Sequence, residues 1–176
     1  MELAMSKTRE QFPLSEKKPL KKTLPTIINC VVLFILLFGG CLAFVAFTDG
    51  RFNLSLALVI SLVAAAVFAA ICSLTYQYQL WYFKVYFYDL TDDFIVIRKR
   101  VFTPREISIP YERVQDVYVD QDLLDRIMGL YDVHLSSATI SSGMEAHIDG
   151  VEKIAADGLR KFILDKVSEK IKKKNN

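Results

Sequence analysis

From Leu24 to Phe83 the chain is mostly apolar and carries only two formal charges, Asp49 and Arg51, near the middle of the run. The pattern predicts two helices, about 27–48 and 54–75, joined by a short polar turn at 49–53. A bilayer core about 30 Å thick is crossed by roughly 20 apolar residues in a helix, so each segment is long enough to span it. The expected organisation is a basic N-terminal segment (1–26), a transmembrane helical hairpin (27–83) and a domain over 84–176 with a basic tail.

After Phe83 the hydrophobic period changes from helical to that of strands. Val85, Phe87 and Leu90 alternate with Tyr86 and Tyr88, Thr91-Asp92-Asp93 supplies a turn, and Phe94 to Arg98 forms a second β-rich run. Ile107 and Ile109 mark the core face of a third strand before Pro110 stops pairing. Val117 and Val119 point inward from a fourth. Leu123, Leu124, Ile127 and Met128 have the spacing of a short amphipathic helix ended by Gly129. Val133 and Leu135 face the core of the next strand, Ser141-Ser142-Gly143 turns, and Ala146 and Ile148 continue that face. Asp149 with Glu152 reads as a capping box opening a helix from Val151 to about Ile171. Ile154, Ala155, Leu159, Phe162, Ile163 and Val167 form its apolar stripe.

Charge orients the hairpin. Lys17, Lys18, Lys21 and Lys22 precede the first helix, Lys84, Arg98, Lys99 and Arg100 follow the second, and only Arg51 lies between. Basic residues near spans are retained on the cytoplasmic side, which predicts both termini there. Tyr76, Tyr78, Trp81, Tyr82 and Phe83 gather where the second helix leaves the bilayer. The net charge of +2 gives no sign of nucleic-acid binding. Cys30, Cys41 and Cys72 all fall in the apolar segments, with no metal spacing or disulfide framework. The first span is too long for a cleaved signal h-region, and the string after Cys41 stays apolar, unlike a lipoprotein tether, so an uncleaved anchor is expected. No charge lies deep in either span, which removes the usual mark of an ion or proton pathway. Gly39-Gly40 and the alanines at 64–66 and 69–70 suit either packing of the two helices on each other or an oligomer contact.

The segment Ile107 to Val117 followed by Gln121 to Leu130 resembles the bacterial pleckstrin-homology (PH)-like, membrane-flanked domain family. Ile109-Pro110, Arg113, Gln115, Gln121, Leu124, Arg126 and Gly129 carry the resemblance, together with Ile154-Ala155-Ala156 and the two-helix anchor. The resemblance implies a membrane-anchored α+β fold, with a PH-like β-barrel or sandwich and one C-terminal amphipathic helix. It implies a place at the cytoplasmic membrane face and assigns no catalytic residues. The residue pattern alone supports a barrel or sandwich plus a helix without choosing a topology.

Several side chains could carry chemistry, each beside a simpler account. His134 and His147 lie opposite each other if the strand pair turns near Ile140-Ser141, and with Asp132, Glu145 or Asp149 could hold a metal; solvated sheet positions explain them as well. Asp116, Asp120, Asp122 and Asp125 read as solvated charges rather than an acid–base pair. Arg113 and Arg126 fit a phosphate or lipid contact or, more simply, internal salt bridges to those aspartates. Arg98, Lys99, Arg100 and Arg105 form a basic turn able to meet anionic lipid, at about 1 kcal/mol per side chain, or to serve as a positive flank.

No nucleophile elbow, phosphate loop, zinc-protease helix or dinucleotide glycine pattern is present in the sequence. The sequence therefore points to a non-enzymatic, cofactor-free module at the bacterial cytoplasmic membrane. The expected work is binding or assembly as a homo-oligomer or with another membrane protein. The alternatives are an anionic-lipid sensor and, third, a metal site at His134 and His147.

Overall fold

The computed structural model describes residues 6–47, 54–99, 102–103, 105–137 and 146–175. Along the chain lie helices α1 (Lys7–Gln11), α2 (Lys18–Phe47) and α3 (Leu54–Val85), then strands β1 (Phe87–Leu90), β2 (Phe94–Lys99) and β3 (Arg105–Pro110). A 3-10 turn (Tyr111–Arg113) leads into β4 (Val114–Asp120), α4 (Leu123–Met128), β5 (Leu130–Ser137), β6 (Ala146–Glu152) and α5 (Lys153–Asn175). Two compact units divide it: Met1–Lys21 with Trp81–Asn176, and Lys22–Leu80. The expected turns at 49–53 and 141–143, together with Arg100, Ile140 and Glu145, lie outside the described residues.

The unit Lys22–Leu80 is the helical hairpin. Lys18–Phe44 and Ala57–Val85 are long and apolar enough to cross a membrane, with mean hydropathy of 2.7 and 2.6. Both helices run further toward the β-domain than the expected spans, because Pro25 is accommodated inside α2 and the aromatic run to Phe83 stays helical. Ile27, Cys30 and Phe34 face Ala65, Phe68 and Cys72 around a cavity of about 230 Å³. Phe34 meets Phe68 edge to face, with ring centres 6.3 Å apart. Ala65 and Ala69 thus let the two helices approach, whereas a Cβ at Gly39 or Gly40 would meet nothing within 4 Å.

The other unit is built from two three-stranded antiparallel sheets, β1-β2-β3 and β4-β5-β6, with α5 packed on β4, β5 and the 3-10 turn. The succession of strands and the closing helix agree with the sequence reading, which left the topology open; the described strands form no closed barrel. Alternation sets the registers, pairing Ile95 with Ile109 and Val133 with Ile148 on the core face. Tyr86, Tyr88 and Tyr111 supply the largest fully buried side chains beside Ile97, Leu159 and Ile163. Each phenol finds a backbone acceptor: Tyr86 donates to His147 O, Tyr88 to Phe12 O and Tyr111 to Thr91 O. Burial pushes Tyr111 up to about 12 and Tyr86 well above the ordinary phenol value, so these groups remain neutral donors.

Three expectations fail here. Asp149 does not cap a helix: β6 continues to Glu152, α5 starts at Lys153, and Asp149 is buried inside the strand. Ile154 does not join the apolar stripe of α5 but is 89% exposed. In α4 the polarity is inverted, with Leu123 and Ile127 outward and Asp125 buried. In two of the three, a lysine from the N-terminal segment decides the outcome.

That segment, 6–21, belongs to the β-domain rather than standing apart as a flank. Ser6 Oγ and Thr8 Oγ1 donate to Asp89 Oδ1 at 2.5 and 2.9 Å. The Arg9 guanidinium donates to Phe83 O and Tyr86 O, closing the carbonyls at the end of α3. Leu14 bridges Val151 antiparallel, and Ser15 N donates to Gly150 O at 2.9 Å, so the strap lies along the β6 edge. Two glycines make room for it. A Cβ at Gly158 would collide with the Phe12 ring, and one at Gly150, where φ is +76°, would lie 2.8 Å from Lys18 Cδ.

Candidate functional site

The described residues of the basic turn expected to meet lipid make contacts within the protein. Arg98 on β2 faces Glu106 on β3, and its Nε and Nη2 both donate to Glu106 Oε2, at 3.0 and 2.6 Å. The same guanidinium lies 5.5 Å from the centre of the Phe87 ring. Lys99 Nζ sits 3.2 Å from His147 Nδ1, while Arg105 is exposed at the start of β3. An aromatic residue that the charge pattern did not single out completes this end of the domain. Phe102, 74% exposed, meets Trp81 edge to face with ring centres 5.5 Å apart.

The histidines are opposite each other, as the register argument expected: His134 pairs with His147. Their rings stack at 5.3 Å, and Tyr118 stacks on the other side of His134 at 4.9 Å and 4°. His134 Nε2 lies 3.1 Å from Asp120 Oδ1, and its Nδ1 is buried without a partner. His147 Nδ1 is already engaged by Lys99. Among the described residues no three metal-ligating side chains come together. The arrangement is a cross-strand ladder of rings, which stabilises a sheet face by stacking.

The buried charges are elsewhere. Lys18 Nζ lies 2.8 Å from Asp149 Oδ1 and 3.6 Å from the centre of the Tyr86 ring, with both charged side chains at most 5% exposed. Lys21 Nζ reaches Asp125 Oδ1 at 2.5 Å, Asp122 Oδ2 at 3.3 Å and Asp132 Oδ2 at 3.5 Å. Asp122 and Asp125 also cap α4 reciprocally. The aspartate cluster is therefore not simply solvated, and its counter-ion is Lys21. Arg113 and Arg126, expected to fill that role, are exposed and make no ion pair among the described residues. No local pattern announces this, because the lysines sit more than a hundred positions before their partners.

The remaining motif positions shape the backbone. Ile109 is 2% exposed, and Pro110 precedes the 3-10 turn. Gln115 marks the irregularity between Val114 and Asp116. Gln121 Nε2 donates to Leu130 O at 2.7 Å across α4, Leu124 is half-buried within α4, and Gly129 ends the helix at φ +70°.

A family model described as bacterial PH domain matches residues 28–167. The chain belongs to the bacterial PH domain family. The match begins inside α2 and ends inside α5, so hairpin and β-domain are covered together. No curated protein and no solved structure matches it.

On this bacterial PH domain the most exposed aliphatic side chains outside the hairpin, among the described residues, are those of α4 and the start of α5. Leu123 is 76%, Ile127 72% and Ile154 89% exposed. A groove of about 650 Å³ lies between the strap and α5, lined by Phe12, Pro13, Leu14, Lys17, Glu152 and Ile154. Lys17 connects it to α4 by donating from Nζ to Met128 O at 3.2 Å.

Proposed function

We propose that this bacterial PH domain is a non-enzymatic module that the hairpin anchors in the cytoplasmic membrane, with its domain engaging a protein partner at the inner face. The partner is a second copy or another membrane protein. The observation that carries the reading is the inverted α4. Its buried side is an aspartate held by Lys21, and its outer side offers Leu123 and Ile127 to solvent. Exposed aliphatic groups clustered on a domain with a complete core mark a contact surface. Two apolar helices support the anchor, and the lysines at the outer ends of both helices support a cytoplasmic domain.

A photo-cross-linker placed at Leu123 or Ile127 in intact cells tests it. A covalent protein adduct, at twice the chain mass for a second copy or another mass for a different partner, is the expected result. A monomer in mild detergent with no adduct from either position refutes the reading. A second reading, contact with anionic lipid, is favoured by the exposed Phe102 beside Arg105 and Lys99.

A further inference from the structure

One side of α5 is occupied by its own domain. Ala155, Ala156, Leu159 and Ile163 are buried there, and along that flank Lys166 pairs with Asp92 and Lys170 with Asp93. On the opposite side Ile154, Asp157, Lys161, Leu164, Ser168 and Ile171 are all exposed, and they follow one another at alternating steps of three and four. This is the seam spacing of a two-helix coiled coil. Leu164 is 40% and Ile171 49% exposed. Asp157, Arg160, Lys161 and Asp165 form no ion pair among the described residues, in contrast to the lysines of the inner flank.

The outer side also has a receptacle. A hollow of about 300 Å³ lies among Asp157, Arg160, Lys161, Leu164 and Asp165. In a coiled coil, four residues of one helix at such positions receive one side chain of the facing helix.

Charge selects the direction and identity of that facing helix. Beside a parallel copy, Lys161 would meet Lys161 and Asp157 would meet Asp157, and like charges so placed repel. An antiparallel copy, centred between Phe162 and Ile163, matches at every step. Ile154 meets Ile171 of the second copy and Asp157 meets its Ser168. The stem of Lys161 lies along Leu164 of the second copy while its ammonium reaches Asp165 there. The lysines after Ile171 come beside Glu152, exposed just before α5.

We infer that α5 joins two copies of the chain as an antiparallel helix pair, with Leu164 of each copy seated among Asp157, Arg160 and Lys161 of the other. The inference rests on the reading that the domain engages a protein, and it names that protein as a second copy. An anchor confining both copies to one membrane raises their effective concentration, so a short helix pair suffices.

Cysteine cross-linking in membranes tests it, using full chains whose native cysteines are serine. Two differently tagged chains, one Ile154→Cys and the other Ile171→Cys, are co-expressed and oxidised with copper phenanthroline. A mixed adduct carrying both tags is expected, several-fold above the yield of Ile154→Cys with Ser108→Cys, an exposed position on β3. Lys161→Glu in both chains should lower that yield several-fold, and adding Asp165→Lys should restore it. A mixed yield no higher than the Ser108→Cys control overturns the pair, as does a stronger adduct of position 154 with itself. A yield indifferent to Lys161→Glu overturns it too. If the mixed adduct is missing while a photo-cross-linker at Leu123 still captures another protein, the second copy is refuted and the partner reading stands. If neither adduct forms, both fail.

Discussion

Lys18 Nζ rests 2.8 Å from Asp149 Oδ1, joining the first turn of α2 to the middle of β6 across 131 positions of sequence. The pair is almost fully desolvated, and Tyr86 covers the ammonium. Removing one member leaves a buried charge without its counter-ion, which costs about 3–5 kcal/mol, whereas replacing both with apolar groups of similar size is close to neutral. Lys18→Met and Asp149→Leu should each lower stability in denaturant by about that amount, and the double variant should recover most of it. Additive losses would mean that the pair does not act as a unit.

The fit of Phe12 over Gly158 predicts a change of sign. Alanine in a helix is favoured over glycine by about 1 kcal/mol. At Gly158 the added methyl meets the Phe12 ring, so Gly158→Ala should destabilise the protein. In a Phe12→Ala background the same change should stabilise it. Thermal melts of the four proteins decide the matter, and a gain in both backgrounds would show that the strap does not press on α5 there.

Asp122 and Asp125 share Lys21 yet should respond oppositely to pH. Burial pushes the Asp125 carboxyl above its ordinary value, against the pull of Lys21. Burial also acts upward on Asp122, but the Asp125 backbone N–H and Lys21 outweigh it and hold that carboxyl low. A raised carboxyl contributes stability that is complete below its unfolded pKa of about 3.9 and is lost as pH rises through the folded value. A lowered one contributes stability that is present above about 3.9 and is lost as pH falls through the folded value. From pH 3 to 7 the advantage of the unaltered chain over Asp122→Asn should grow, while its advantage over Asp125→Asn should shrink. Parallel trends in urea unfolding would contradict this account of the cluster.

The ring ladder makes a further prediction. His134 keeps a buried, unpartnered Nδ1 between two aromatic neighbours. His134→Phe retains the stacking and removes that atom along with the Nε2 contact to the exposed Asp120, so stability should change by no more than about 1 kcal/mol. A large loss would assign the imidazole a polar role that stacking does not include.

How much of this was legible in the chain follows from the range of each interaction. The hairpin was, because an apolar helix needs no partner to declare itself. The strands were too, since Ile95, Ile97, Ile109, Val133 and Ile148 alternate inward by their own periodicity. Asp149-Gly150-Val151-Glu152 read as a helix cap because those four residues fit one locally, whereas pairing with β5 and the distant Lys18 hold Asp149 in a strand. Leu123 and Ile127 read as core because an amphipathic turn ordinarily buries its apolar side; Lys21 makes Asp125 the buried one. The strap lysines looked like a topological flank. They are also internal counter-ions, a role carried wholly by distant aspartates.

The function proposed for this chain requires a twice-crossing anchor with both strap and β-domain on the cytoplasmic side. Single cysteines at Glu10, Arg51 and Glu169, in a chain whose native cysteines are serine, test it with a membrane-impermeant maleimide on intact spheroplasts. Positions 10 and 169 should stay unlabelled until the membrane is opened, while position 51 should label at once. Labelling of position 169 in sealed cells, or protection of all three, would contradict the account.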